Sequence, residues 1–458
     1  MYRLIICLLF FGNSLAQESK NTQLLDHWKQ DSIITNSSGV RYSECLGFTV
    51  QGEEYVVAGS TEGSHFFRLT NDNTFEDAGF IEGKYSNSLV VHRDYAVYQN
   101  LLYAVCDEGA SSLQIIDIGN LPGSISVVAE NDSTFGRVHN VKVDTMNALL
   151  YACSITAYSN DVLQSLVPMQ VFSLADPQHP ALLYSGPGDI PEVHDAYINK
   201  EIVYLNCGFD GLRVYDFTNP SSPVYLQNMN FYQDQGYNHQ GALSEDGTKY
   251  VFADETMGKK IKVCSISNNL ATITGYFGTN FENNSVPHNI AIKGHFAYVA
   301  YYNEGLRIYD LRAATPLEVA SYDTYPKEEE LFKMKGAWGI YADFPSGRIV
   351  VSDRVNGLFL FDFPAEIISS IGNGELSIYP NPQISGNPLT LSLTDKTIDA
   401  FSLLIYDSAG RLVFTDSFEQ QTYAQVEHFL GVGVYQIRVQ YTDYLDEQQA
   451  FYGKFIVN

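Results

Sequence analysis

Cysteine is scarce in this 458-residue chain, with six residues in all. Cys7 lies in an apolar stretch near the start, which leaves Cys45, Cys106, Cys153, Cys207 and Cys264. An odd number cannot pair fully within one molecule. None stands at C-x-x-C spacing, so a thiolate zinc site is not indicated. Cys106, Cys153 and Cys207 fall at or near the ends of strand-like runs, where a small apolar side chain packs well, and buried free thiols are expected. Positive charge is also short. Lys and Arg total 27 against 53 Asp and Glu, a formal charge of −26, which opposes binding to nucleic acids or anionic membranes. After residue 16 no run approaches the ~18 apolar residues that a membrane helix needs. Heptads, low-complexity tracts, G-x-S-x-G, a P-loop, H-E-x-x-H and an EF-hand loop are all missing. The acidic residues sit mainly in turns, and no pair suited to acid/base catalysis can be picked out.

What is abundant favours strands: 32 Tyr and 27 Phe accompany many Val and Ile. The opening "MYRLIICLLFFGNSLA" has the form of a secretory signal. Arg3 is its positive end, Leu4 to Phe11 its apolar stretch, and Ser14-Leu15-Ala16 a small-residue cleavage site. A secreted or cell-surface protein is expected, cut near Ala16, with no transmembrane segment.

The rest is dominated by repetition. "VHDAYINKEIVYLNCGFDGLRVYDF" (Val193 to Phe217) is echoed by "VPHNIAIKGHFAYVAYYNEGLRIYDL" (Val286 to Leu311). With the histidine as anchor, copies begin near Ser43, His92, His139, His194, His239, His288 and Trp338, at steps of 49, 47, 55, 45, 49 and 50 residues. The long step carries an insertion around Ser159 to Leu166. Each copy holds three strand-length runs and a looser fourth. The second and third runs are separated by Glu108-Gly109, Asp210-Gly211, Glu304-Gly305 or Asn356-Gly357, pairs suited to hairpins at positive φ. The third run closes on Asp117, Asp216, Asp310 or Asp362, each able to bond the backbone two residues on. Seven copies of four antiparallel strands predict an all-β, seven-bladed β-propeller over residues 17–366. "TQLLDHWKQD" (residues 22–31) resembles the fourth runs and is expected to close the last blade. A linker (367–374) and a small β-sandwich (375–458) follow.

The motifs "GLRVYDFTNP" and "GLRIYDL" resemble LVIVD propeller repeats. The ordered series from "HNVKVD" through "YNHQGALSEDGTKYVFADE" to "GLFLFDF" resembles the choice-of-anchor B family of exported bacterial proteins, across residues 22 to 365. That resemblance implies a surface-exposed propeller without an established activity. One departure is Met257 in "ADETMG", where the family leads one to expect histidine. "ELSIYPNP", "LLIYDSAGRLVF", "LGVGVYQIRV" and "GKFIVN" resemble the type IX secretion sorting domain of Bacteroidetes. This implies the type IX machinery as a partner, and cargo that is released or attached at the outer surface.

Five of the ten histidines are anchors: His92, His139, His194, His239 and His288. In a propeller they would form an arc at one mouth of the channel, extended by Trp338. On one reading each imidazole fastens its own blade through a backbone or hydroxyl group. On the other, His139, His194, His239 and His288 converge on one divalent metal ion or an anionic ligand, with Asp195, Asp254 and Glu255 completing the shell. The first favours a binding or adhesion module for a glycan, protein or small molecule. The second favours a metal-dependent hydrolase or lyase.

Overall fold

The computed structural model describes residues 19–363 and 376–458, apart from 112, 132–134, 160–161, 280–284, 313–314, 327–333, 394–399, 420–422, 429 and 443–447. The expected signal segment and linker lie outside the described residues. Among those described there is no helix, and the strands form seven sheets of propeller type and two further sheets.

The first blade contains Tyr42–Val50, Glu53–Ser60, Gly63–Leu69 and Phe75–Glu82. The next five blades repeat this antiparallel meander, with first strands Arg93–Tyr98, Arg137–Asp144, Asp195–Asn199, Asn238–Leu243 and Ile290–Lys293. The seventh is built from Ala337–Tyr341, Ile349–Asp353 and Gly357–Asp362, and its fourth strand is Gln23–Trp28 from the beginning of the chain. Gln23 pairs with Asp362 and Trp28 with Leu358, antiparallel. Ser19–Lys20 adds a short fifth strand to the sixth blade, against Ser321 and Tyr322. Successive first strands are neighbours around the ring, and the seventh lies against the first, so the ring closes.

Strands apolar on both faces follow from this arrangement, because each blade is covered by two others. One buried cluster joins Phe48, Tyr55 and Phe66 of the first blade to Tyr95, Leu102 and Ile116 of the second. Others join the second to the third, the third to the fourth, the fourth to the fifth, and the seventh to the first. The core is thus a series of inter-blade layers. The five cysteines are buried, free members of these blades.

Turn chemistry behaves as the residue types require. The glycines of the four acid-glycine or Asn-Gly turns all have positive φ, from 66° to 90°. Asp117, Asp216 and Asp310 each accept a hydrogen bond from the backbone N–H two residues on, at 2.8 to 2.9 Å. The insertion of the third copy is a long hairpin, Leu149–Ser159 with Val162–Ser173, reaching beyond its blade on the side where the first strands begin.

The C-terminal unit has a sheet of Leu376–Tyr379, Leu389–Leu393 and Tyr423–Val426. Its second sheet, in spatial order, is Leu412–Glu419, Ala400–Tyr406, Gly433–Thr442 and Gln448–Val457. Alternate residues of both sheets, among them Leu389, Leu391, Leu403, Ile405, Ile437 and Val439, form one core, as a β-sandwich requires.

Candidate functional site

The anchors stand where the first strand of each blade begins. At His239 and Trp338 the pairing register slips by one residue. Such a bulge re-aims a side chain that the pleat would otherwise turn into the blade. The anchor rings then meet one another. Centroid separations are 4.5 Å for His92–His139, 4.1 Å for His139–His194, 4.3 Å for His194–His239, 4.2 Å for His239–His288 and 4.0 Å for His288–Trp338. His92 and Trp338 are 5.5 Å apart. The expected arc is therefore a closed ring of five imidazoles and one indole, with the first blade, whose anchor is Ser43, contributing no member. The Arg354 guanidinium carbon lies 4.2 Å from the Trp338 ring centroid, in a cation–π contact.

The bonds of these rings pass between blades, which corrects the expectation that each histidine fastens its own. His194 Nδ1 donates to the carbonyl of His239 at 3.2 Å, and His288 Nδ1 to that of Trp338 at 2.8 Å. The next anchor's carbonyl also neighbours His92 and His239. Those contacts are looser, and both ring nitrogens of His92 and Nδ1 of His239 make no well-formed hydrogen bond. His288 Nε2 is likewise unpartnered.

Charge divides the ring. Burial holds His92, His194 and His288 well below the ordinary imidazole range, with neighbouring imidazoles adding to the effect. Burial takes His239 down to about 3. His139 is the exception. Burial opposes its charge, but Asp107, 2.8 Å from Nδ1, outweighs this and raises it to about 9. Four imidazoles are thus pushed toward the neutral form and one toward the cation.

Three donor groups cluster among the described residues. Atoms of His194, His239 and Glu255 all lie within 4.8 Å of one another. Of the four histidines read as metal ligands, His194 and His239 belong to this group, while His139 is engaged by Asp107 and His288 lies outside it. Asp254, expected in the same shell, faces the other way. It is fully buried and accepts from Gly236 N–H at 2.7 Å and Tyr232 O–H at 2.9 Å, with Lys262 Nζ at 2.9 Å. Asp195 belongs to a separate buried polar set, with Asn140 Nδ2 at 3.2 Å and Lys142 Nζ at 3.6 Å. Burial, partly offset by Lys142, raises its carboxyl to about 6. Met257 is 40 % exposed.

His139 and His194 also line a cleft of about 420 Å³ whose other walls include Asp107, Arg137, Ser154, Glu192 and Tyr237. The long hairpin of the third blade contributes Ile155, Thr156, Leu166 and Val167 to one wall. Tyr237 O–H donates to Glu192 at 2.5 Å, and its ring meets the 75 % exposed Phe209 edge to face at 5.2 Å. Arg137, Ser154, Glu192 and Tyr237 escaped sequence reasoning, because none recurs from blade to blade. The insertion was the one signal that this side of the ring differs.

The chain matches the family of secretion system C-terminal sorting domains over residues 377–457, and the LVIVD repeat over residues 287–324. Among curated proteins, none matches the sequence. In solved structures, it is similar to the β-propeller domain of Cps50 (Swd1) from Myceliophteria thermophila, at 12% identity and a TM-score of 0.50, covering 71% of this chain and 97% of that one. It is also similar to the computationally designed Ika8 protein, at 12% identity and a TM-score of 0.49, covering 74% and 99%. At this identity the first likeness bears on the fold alone. No described helix is long and apolar enough to cross a membrane. The chain is a seven-bladed β-propeller that carries an LVIVD repeat and ends in a type IX sorting domain, which points to secretion or a cell-surface location.

Proposed function

We propose that the protein is an exported binding module whose propeller mouth takes a polyhydroxylated ligand, of which a saccharide is the common form. The lining of the cleft carries this reading. Asp107 and Glu192 offer carboxylate oxygens to ligand hydroxyls, and Arg137 and Ser154 add donors. Tyr237 in the lining, and the exposed Phe209 that meets it edge to face, each offer an aromatic ring against which the C–H face of a sugar can stack. Loops and turns on a rigid ring suit such a task, and nothing in it requires a nucleophile. The reading includes the choice-of-anchor B family and the Bacteroidetes origin implied by the sequence resemblance, with an N-terminal signal cleaved near Ala16.

Calorimetric titration of the full chain with a panel of neutral and acidic oligosaccharides tests the proposal. The expected result is saturable binding to at least one class, weakened about tenfold or more by Glu192→Gln and by Phe209→Ala, with melting unchanged. A panel without a binder, or binding indifferent to both substitutions, overturns it.

A further inference from the structure

We propose that His194, His239 and Glu255 form a binding site for one divalent transition-metal ion, of zinc-like softness, beneath the mouth of the propeller. The proposal does not rest on the saccharide reading.

Two imidazoles and one carboxylate form a donor set suited to such an ion, with further coordination positions left open. His194 comes from the fourth blade and His239 and Glu255 from the fifth, with Glu255 following directly on that blade's second strand, so the packing of two successive blades assembles the set. The orientation of His194 is fixed. Its Nδ1 hydrogen is committed to the His239 carbonyl at 3.2 Å, so the tautomer assigned by that bond leaves the Nε2 lone pair available. An Nδ1–H donated to a backbone carbonyl is the outer-shell arrangement that metal-bound histidines use. Glu255 is oriented in a similar way. One oxygen accepts from the Tyr302 hydroxyl, and the other lies 3.7 Å from His239 Nε2. That separation is too long for a hydrogen bond. An ion between them would give both atoms a partner.

The unsatisfied state of His239 is the second, independent observation. The residue is 96 % buried, yet Nε2, the nitrogen that faces Glu255, makes no contact shorter than that 3.7 Å approach to a polar group. Fastening and ligation are also compatible, since they use opposite nitrogens of the same ring. Nearby cations are offset: His139 is paired with Asp107 at 2.8 Å, and Arg354 lies over Trp338. His194 is the member of the set that also lines the cleft.

The test uses the full chain without a polyhistidine tag, stripped with chelator and titrated with Co²⁺ by visible absorption, then with Zn²⁺ in competition. One equivalent of Co²⁺ with ligand-field bands, displaced by Zn²⁺, is expected. His239→Gln and Glu255→Gln should each weaken binding about tenfold or more, and His179→Gln, at an exposed position, should not. Glu255→Gln keeps an acceptor for Tyr302, so it decides the matter if His239→Gln fails to fold. Absence of stoichiometric Co²⁺ binding overturns the proposal, as does binding that survives Glu255→Gln unchanged.

Discussion

Gly357 shows how tightly one residue can be constrained here. Its φ is +90°, and a Cβ on it would lie 2.1 Å from the carbonyl oxygen of Trp28, on the strand that closes the ring. Gly347 has a similar φ, +80°, but faces open space. Gly347→Ala should therefore cost only the left-handed backbone penalty, about 1–2 kcal/mol. Gly357→Ala should cost measurably more in urea unfolding, because the closing strand must also shift. Equal costs would show that the strand gives way freely. The same scale explains what was legible at the site. The histidines stood out because repetition marks them. Asp254 was misplaced because adjacent residues of an extended chain point to opposite sides, and sequence alone does not say that Asp254 turns inward while Glu255 turns to the ring. Its role is to balance Lys262, whose side chain is fully buried. Asp254→Asn should cost about 3–5 kcal/mol by leaving that ammonium undercompensated. Adding Lys262→Met should recover part of the loss, and a strictly additive double mutant would refute the coupling.

At the scale of elements, blades were readable because anchor residues, strand-length apolar runs, acid-glycine turns and closing aspartates recur at steps of 45 to 55 residues. Contacts between blades were not, since each pairs residues that occur once. Glu54 is the clearest case. From the first blade it accepts from Ser346 N–H and Oγ–H at 2.7 Å each, and from Arg348 Nη2 at 2.7 Å, all on the seventh. Arg348 also donates to the Thr70 carbonyl at 2.8 Å. Burial opposes the charge on Glu54, but the Ser346 and Arg348 bonds win and hold its carboxyl below the ordinary value of 4.5. A carboxyl depressed on folding stabilises the native state above its unfolded pKa, and this contribution fades as pH falls through the folded value. Glu54→Gln should thus cost about 1–3 kcal/mol at pH 7, where a charge-assisted bond is lost, and progressively less as pH falls below the ordinary carboxyl value of 4.5. A penalty independent of pH would mean that the contact acts through shape rather than charge.

For the whole molecule, closure is the demanding step. The strand Gln23–Trp28 completes a sheet whose other members begin at Ala337, and Ser19–Lys20 covers the edge of the sixth blade. His27 Nε2–H donates to the Asn356 carbonyl, 329 positions away, at 2.6 Å. Pairing across such a separation has a high loop-closure cost and is slow to form. Until it forms, the third strand of the seventh blade exposes an open edge, and an open edge invites pairing with another chain. Trp28 adds an apolar seal, with ring contacts of 4.7 Å to Phe67 and 5.5 Å to Tyr42 of the first blade. A chain lacking residues 19–31 should therefore lose thermal stability as a whole ring and elute from gel filtration as soluble oligomers. A synthetic peptide of residues 19–31 should restore the monomer in a dose-dependent way, while a peptide with Trp28→Ala should restore less. If the truncated chain stayed monomeric with an unchanged melting temperature, closure would reside in side-chain contacts such as Glu54 with Arg348, and the N-terminal strand would be only a cover.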